Sequence, residues 1–544
     1  MQETNSMRQA WYHNAIFYSL DVETFYDSKS DGIGDFQGLI EKLDFIAGLG
    51  ANCIWLLPFY PSPNRDNGYD VMDYYNVDPR LGTLGDFSQF LGKAEQLGLR
   101  VVIDLVVNHT SIEHPWFQHA RRDKQSQFRN YYVWSDEPIK YEKEHLMFQG
   151  EENSVWTYDE VAQQYYLHRF YKWQPDLNVV NPKVKEEILK IMEFWLRLGV
   201  NGFRIDAAQL LVEPYGLKGA DKEDLLNFID EMRDYAQSQR SDVLLLAEVN
   251  SGPEEMMTYF KAGERMHMLF NFFLNQHLFL ALADQNKLPL EKALRALPPM
   301  DQSARWLNFL RHHDELNLRL LSKGDQVKIF RAFAPDENMR IYDFGIRRRL
   351  APMMNGKIKK IQLAYSLLFS MPGAQMIRYG DEIGMGDDLS LKGRNSVRTP
   401  MQWSPSKNGG FSNAEEKQLV HPVLNSGPFG YKKVNLLSAQ QQPASLLNWV
   451  ERLITTRKGC PEIGYGNLFI IPYPNEKLLI HGFQWEEKKL FFLHNLSEEE
   501  VQISKEEFSD GKLFDVFGEE LHENEGSRIL LKSYGYRWYR SEKN

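Results

Sequence analysis

Asp86-Phe-Ser-Gln-Phe-Leu-Gly-Lys-Ala-Glu-Gln-Leu97, followed after three residues by Val101-Val-Ile-Asp-Leu-Val-Val107, sets the reading of the fold. In the first stretch Phe87, Phe90, Leu91 and Ala94 recur at three- and four-residue spacings, as on one face of a helix. The second is a short run of branched apolar residues and reads as a strand, with Gly98 between them as a helix-end glycine. The alternation continues in both directions. Apolar runs fall at 15–21, 52–58, 101–107, 202–206, 244–248, 267–273, 306–310 and 375–379. Helix-like stretches at 35–49, 86–97, 183–198 and 222–237 lie between them, and Gly50 and Gly356 read as further helix-end or turn glycines. Eight strands alternating with helices predict an α/β chain folded as a (β/α)₈ TIM barrel.

One connection is abnormally long. From His109 to about Phe203 runs an insertion rich in Trp, Tyr and His, expected to form a lid subdomain after the third strand, over the barrel's mouth. Its rings either pack on the apolar C–H faces of sugars or fill a small core of their own, and the sequence leaves both uses open. Past an amphipathic segment at 445–457, short alternating runs at 468–471, 478–483 and 489–494 predict an antiparallel β-domain. The expected division is a barrel over 1–109 and 179–459, an inserted subdomain over 110–178 and a C-terminal β-sandwich over 460–544. The acidic run at 498–500 reads as a solvated turn.

Composition narrows the function. With 544 residues, 43% hydrophobic and 25% charged, the chain is an ordinary globular protein large enough for a catalytic domain with attachments. A formal net charge of −11 gives no basic footprint for nucleic acid. Two cysteines, Cys53 and Cys460, make neither a disulfide scaffold nor a zinc site and read as reduced thiols. The opening MQETNSMRQA has no apolar leader, and no later stretch is long and apolar enough to span a bilayer, so cytoplasmic residence without a membrane partner is expected.

Reactive groups of a parallel barrel gather at the C-terminal ends of its strands. Acids stand at three such ends: Asp206 closes Gly202-Phe-Arg-Ile-Asp206, Glu248 closes Leu244-Leu-Leu-Ala-Glu248, and Asp314 follows the seventh run. Any one of them alone is an unremarkable cap or salt-bridge partner; three in one bowl, with Arg204, His109 and His313, suit glycosidic bond cleavage. That chemistry needs one carboxylate at the anomeric carbon and one protonated carboxyl at the leaving oxygen. Arg204 stands two residues before Asp206 on a strand, hence on the same face, where it favours the ionised nucleophile. Glu248, crowded by other carboxylates, then suits the general acid and base.

Four stretches, Asp104-Leu-Val-Val-Asn-His109, Gly202-Phe-Arg-Ile-Asp206, Leu246-Ala-Glu248 and His312-His-Asp314, resemble the signature regions of the α-amylase superfamily of glycoside hydrolases, in order and at barrel spacing. The resemblance implies Asp206 as nucleophile, Glu248 as acid/base, Asp314 as the acid gripping the distorted sugar's hydroxyls, and His109 and His313 as hydrogen-bonding partners of that ring. Asp70, beside Tyr69 in Asn67-Gly-Tyr-Asp70, and Arg398 in Val397-Arg-Thr-Pro400 resemble the pair that clamps a terminal glucose in exo-acting members. Asn108, Asp176 and Glu213, with the backbone oxygens of Leu210 and Leu211, resemble a family calcium site that would pin the insertion to the barrel, or else these groups bond one another without an ion. Asp27-Ser-Lys-Ser-Asp-Gly-Ile-Gly-Asp35 resembles a second calcium loop, but Lys29 stands where a ligand is usual, so a metal-free loop is expected with the ammonium as substitute charge. No organic cofactor is implied.

Longer stretches, among them Trp55-Leu-Leu-Pro-Phe-Tyr-Pro-Ser-Pro63, His168-Arg-Phe-Tyr171, Gln174-Pro-Asp-Leu-Asn178 and Gly345-Ile-Arg-Arg-Arg-Leu-Ala-Pro352, resemble the trehalose synthases, which interconvert maltose and trehalose by α-glucosyl transfer. His312 and Arg378 depart from that pattern, where Asn and Tyr are usual, and bear on the acceptor side. The alternatives are an exo-acting α-glucosidase on maltose or isomaltose, a transferase to another small acceptor, and a catalytically silent transport-complex subunit, which the full acid set disfavours. Related enzymes often associate, so a homo-oligomer is among the expected states.

Overall fold

The computed structural model describes residues 10–139, 147, 151–217, 221–300, 303–518 and 527–542. Eight parallel strands close into a barrel: β1 (Ile16–Leu20), β2 (Cys53–Leu56), β3 (Arg100–Leu105), β4 (Gly202–Ile205), β5 (Leu244–Ala247), β6 (Met268–Phe270), β7 (Arg305–Phe309) and β8 (Ala374–Arg378). Each lies beside its sequence neighbour, and β8 returns to β1 with Ile16 opposite Gln375. All eight expected strands are present, and helices occupy the intervals expected of them. Asp35 caps the helix Phe36–Leu49 by accepting from Gly38 N–H, and Gly50 ends it at φ 97°, a left-handed conformation that costs glycine least.

Alternation along the strands divides the apolar residues into two clusters. Phe17, Trp55, Val102, Leu246, Phe270 and Met376 fill the barrel's interior, while Ile16, Ile54, Ile103, Phe203, Leu245 and Ile377 pack outward against the helices. Side-chain period two thus decides in advance that Asp104 and Arg204, in register with the inward set, face the barrel axis.

The insertion after β3 carries the helix Pro115–Arg122 and a three-stranded antiparallel sheet of Trp134–Ser135, Gln164–Leu167 and Trp156–Asp159. Its rings mainly fill a core of their own: Phe117 stacks on Trp134 with centroids 5.5 Å apart and meets Tyr132 and Tyr166 edge-on. At the C-terminal side the helix Leu446–Lys458 precedes two antiparallel sheets. Strands β9 (Asn467–Ile470), β10 (Leu478–Trp485), β11 (Lys488–Asn495), β13 (Lys512–Gly518) and β15 (Tyr536–Glu542) form one; β12 (Val501–Ser504) and β14 (Arg528–Leu531) form the other. Ile480 and Phe491 of the first pack with Ile503 and Leu531 of the second. The larger sheet is bolted to the barrel by Trp538, whose indole donates to Ser366 Oγ at 2.9 Å, and by His481 Nε2, 3.1 Å from Ser370 O.

Behind β8, burial pushes the Glu382 carboxyl from an ordinary 4.5 up to about 8, and only one of its oxygens is bonded, by Tyr18 O–H at 2.9 Å. The folded state therefore holds this proton more tightly than the unfolded one. The contribution is full below about 4.5 and is lost as pH rises through about 8. Glu382→Gln, which keeps the shape and cannot ionise, is expected to show a smaller fall in urea midpoint between pH 7 and pH 9 than the native chain.

Candidate active site

Strand β4 delivers Arg204 inward, and Asp206 follows just past its end on the same face. Arg204, 2% exposed, is the hub: its Nη1 donates to Asp104 Oδ1 and to Asp206 Oδ1, each at 2.5 Å, and its Nη2 to Glu248 Oε2 at 2.7 Å. Asp104 on β3 is held from behind by Trp55 Nε1–H at 3.0 Å and by Tyr69 O–H at 3.3 Å. Ala207, left-handed at φ 45°, turns its N–H onto Glu248 Oε2 at 3.2 Å. Among the described residues one oxygen of Asp206 and one of Glu248 make no hydrogen bond, and both residues line the same cavity.

Asp314, beyond β7, faces that cavity from the other side. Arg394 Nη1 meets its Oδ1 at 2.5 Å, Arg398 Nη2 donates to the same oxygen at 2.7 Å, and His313 Nε2 lies 3.0 Å from Oδ2. His313 also reaches Tyr69 O–H at 2.9 Å and stacks on its ring. His109 lines the cavity, with Nε2 3.2 Å from Tyr69 O. The cavity offers about 100 Å³ of accessible space. Its remaining wall is polar, through Gln209, Asn250, Glu315, Asn317 and Arg319, with Phe170 and Phe344 as apolar faces.

Charge fixes the protonation states. Burial alone would raise Asp314, but Arg394, His313 and Arg398 together hold its carboxyl well below the ordinary range, so it stays ionised. Burial raises Glu248, opposed by Arg204 and reinforced by Asp206 and Asp314. Burial also raises Asp206, with Arg204 pulling it back. Asp104 is pushed up to about 7 by burial. One guanidinium thus serves three carboxyls, and burial biases the cluster towards holding a proton. His313, brought down to about 3 by burial, and His109, lowered by the same cause, are neutral hydrogen-bonding groups.

The expected acids, Asp206, Glu248 and Asp314, therefore converge, as do Tyr69 and His109, whereas Arg204, His313 and Arg398 stand behind the cavity wall and position it. The clamp reading needs correction. Asp70 is fully buried and turned back into its own loop, accepting from Ser62 Oγ at 2.8 Å and from the N–H groups of Arg65 and Asp66. Asp66 lines the cavity instead, 3.4 Å from Arg394 Nη2, while Arg398 lies behind Asp314. The signal for both was adjacent: Asp66 immediately precedes Asn67-Gly-Tyr-Asp70, and Arg394 stands four residues before Arg398. His312 is no mere packing residue, since it lines the cavity; its Nδ1 accepts from Asp314 N–H at 3.2 Å, which puts the proton on the unpartnered Nε2. Arg378 is buried away from the cavity and donates to Val397 O.

Neither of the two stretches that resemble calcium sites presents a free donor set. In the loop 27–35, Asp27 is consumed by the N–H groups of Lys29, Ser30 and Gly32 and by Ser412 Oγ, and Asp35 by Ser28 and Gly38. Lys29 is exposed rather than inserted among the acids, so the backbone, not an ammonium, satisfies the loop. At the second set the residues do not fit an ion, because Asn108, Asp176 and Leu210 O are taken by Arg169. Glu213 is half-buried.

A closed parallel barrel thus sets three carboxyls at its strand ends around one cavity. Residues 22–466 match the model of the α-amylase catalytic domain, and the chain belongs to that family. It is 41% identical over 493 residues, 90% of its own length, to the trehalose synthase of Thermus thermophilus, of which the match spans 51%, about half. It is 42% identical over 451 residues to the trehalose synthase/amylase TreS of Mycolicibacterium smegmatis, covering 82% of this chain and 76% of that one. The crystal structure of an alpha-amylase from H. orenii superposes with a TM-score of 0.79 at 27% identity, over 97% of this chain and all of the other. Among the described residues no helix is long and apolar enough to cross a membrane.

With both cavity-facing carboxyls raised by burial, the pH profile of kcat/KM is expected to be a bell whose two limbs lie above the ordinary carboxyl range. Activity falls on the acid side as Asp206 gains its proton and on the alkaline side as Glu248 loses its own. An acid limb at the value of a free aspartate would contradict this electrostatic account.

Proposed function

We propose that the chain isomerises maltose to trehalose by retaining α-glucosyl transfer, with some hydrolysis to glucose. The observation that carries this reading is the Arg204 bridge: two carboxyls held on the two terminal nitrogens of one guanidinium line one cavity, the pair of acids that retaining enzymes use. The two trehalose synthase relatives support the sugar.

In the first step the free oxygen of Asp206 bonds to the anomeric carbon, the glycosidic C–O bond breaks, and Glu248 passes its proton to the departing O4 of glucose. The released glucose stays in the cavity and turns. Glu248, now a carboxylate, takes the proton from its anomeric hydroxyl, whose oxygen attacks the glucosyl carbon as the bond to Asp206 breaks. Two inversions at the donor carbon leave it α, and the second centre is α because the α-anomer of the released glucose attacks. Asp314, fixed by Arg394 and Arg398, grips hydroxyls of the donor sugar, and Asp66 with Arg394 closes the end of its pocket. Neutral His109 and His312 complete the hydrogen bonding without adding charge near the oxocarbenium-like centre.

Proton NMR of products from maltose tests the reading. Trehalose is expected to accumulate ahead of glucose in the native chain, and Glu248→Gln to lower turnover by about 10²–10⁴-fold. Asp206→Asn is expected to abolish it. Glucose without trehalose would favour the second reading, hydrolysis, which the word amylase in the Mycolicibacterium relative's name supports. The balance rests on water exclusion: Phe170 and Met147 from the insertion meet Tyr342 and Phe344 across the cavity. Phe170→Ala is accordingly expected to raise the glucose-to-trehalose ratio several-fold at little cost in maltose consumption.

A further inference from the structure

Five groups of this chain correspond to a calcium cage, and three of them converge on a side chain. Arg169 Nη2 donates to Asn108 Oδ1 at 2.7 Å, Nη1 to Leu210 O at 2.7 Å and Nε to Asp176 Oδ2 at 2.5 Å, while its backbone N–H reaches Asp176 Oδ1 at 3.1 Å. The cluster is dry: side-chain exposure is 4% for Arg169 and 1% for Asp176, and Asn108 is fully buried. Calcium binds oxygen at roughly 2.3–2.6 Å. An ion at that distance from these oxygens would collide with the guanidinium nitrogens and add two charges beside an existing one. The ion and the arginine exclude one another.

We propose that Arg169 is the resident cation of this site, a covalently attached guanidinium standing in place of a divalent ion and pinning the inserted subdomain to the barrel without calcium. Its planar fork supplies donors only, and each acceptor it meets is an oxygen, so one side chain satisfies three segments at once. Those segments carry the cavity. His109 follows Asn108, Phe170 follows Arg169, and the loop of Asp206, Ala207 and Gln209 ends at Leu210. The rings of His109 and Phe170 meet with centroids 4.9 Å apart. Beside this tie the backbone makes a second, through the bridge of His109 to Asp176 and the bond of Leu177 N–H to Asn108 O at 2.9 Å. Arg169 is therefore a positioning residue: it touches no substrate and fixes three walls that do.

The test measures the unfolding midpoint of the full chain after EDTA dialysis, then with added calcium, alongside isothermal titration with calcium chloride. The native chain is expected to show no shift in either buffer and no binding heat. Arg169→Ala should lose roughly 5 °C or more in calcium-free buffer, because one partner of a buried pair is left behind. It should regain part of that loss on adding calcium, whose ligands are then exposed. Arg169→Lys, which keeps the charge without the fork, should be destabilised and unresponsive to calcium. A native midpoint that falls in EDTA and returns with calcium, one ion per chain, would overturn the proposal. So would an Arg169→Ala chain as stable as the native one, or one that is weakened and gains nothing from calcium, which would make the contact an ordinary ion pair. The native arm decides even where Arg169→Ala does not accumulate.

Discussion

One guanidinium shared among three carboxyls is the constraint on which the site depends. A buried Asp104, Asp206 and Glu248 without Arg204 would be three desolvated acids in contact, and two or more would take up protons. With a single positive charge among them the cluster is under-neutralised by design of its geometry, and a mobile proton is its natural complement. That is the state acid–base chemistry on a sugar requires, and it follows from where β3, β4 and β5 end.

Much of this was legible in the sequence, and for a definite reason. Strand period two and helix period 3.6 are local properties, so the eight strands and the inward facing of Arg204 follow from spacing alone. The acids at strand ends inherit that certainty. Asp66 and Asp70 show the limit. Both belong to one short motif, but Asn64, Asn67 and Gly68 adopt left-handed conformations that fold the loop back, turning Asp70 onto its own backbone and Asp66 outward. A pattern of residue types does not contain that reversal. The rings of the insertion were ambiguous for a similar reason: a ring that packs on Trp134 and a ring that packs on a sugar look alike in one dimension.

Arg169 was present in a stretch already recognised, His168-Arg-Phe-Tyr171, and yet its role was out of reach. Its three acceptors come from positions 108, 176 and 210, so only the closed barrel with its insertion in place brings them together. The correspondence of ligand residues to a calcium cage is real at the level of sequence and misleading at the level of space, because a cation already occupies the oxygens. Donor sets are read reliably only together with whatever positive group the fold places among them.

Arginine recurs wherever this site needs fixed charge: Arg204 among the cavity acids, Arg394 and Arg398 on Asp314, Arg169 at the root of the insertion. Each presents a planar fork to oxygens, and each is buried enough that its geometry is set by packing rather than by solvent. With Arg169 as the resident cation proposed above, a site assembled this way would not depend on the concentration of an exchangeable ion. It would depend instead on the three segments around Arg169 holding their relative positions. The wall that closes against water, Phe170 with Tyr342 and Phe344, begins one residue from that guanidinium. The Arg204 cluster and the Arg169 cluster are thus two centres of similar chemistry, joined through Asn108 and His109.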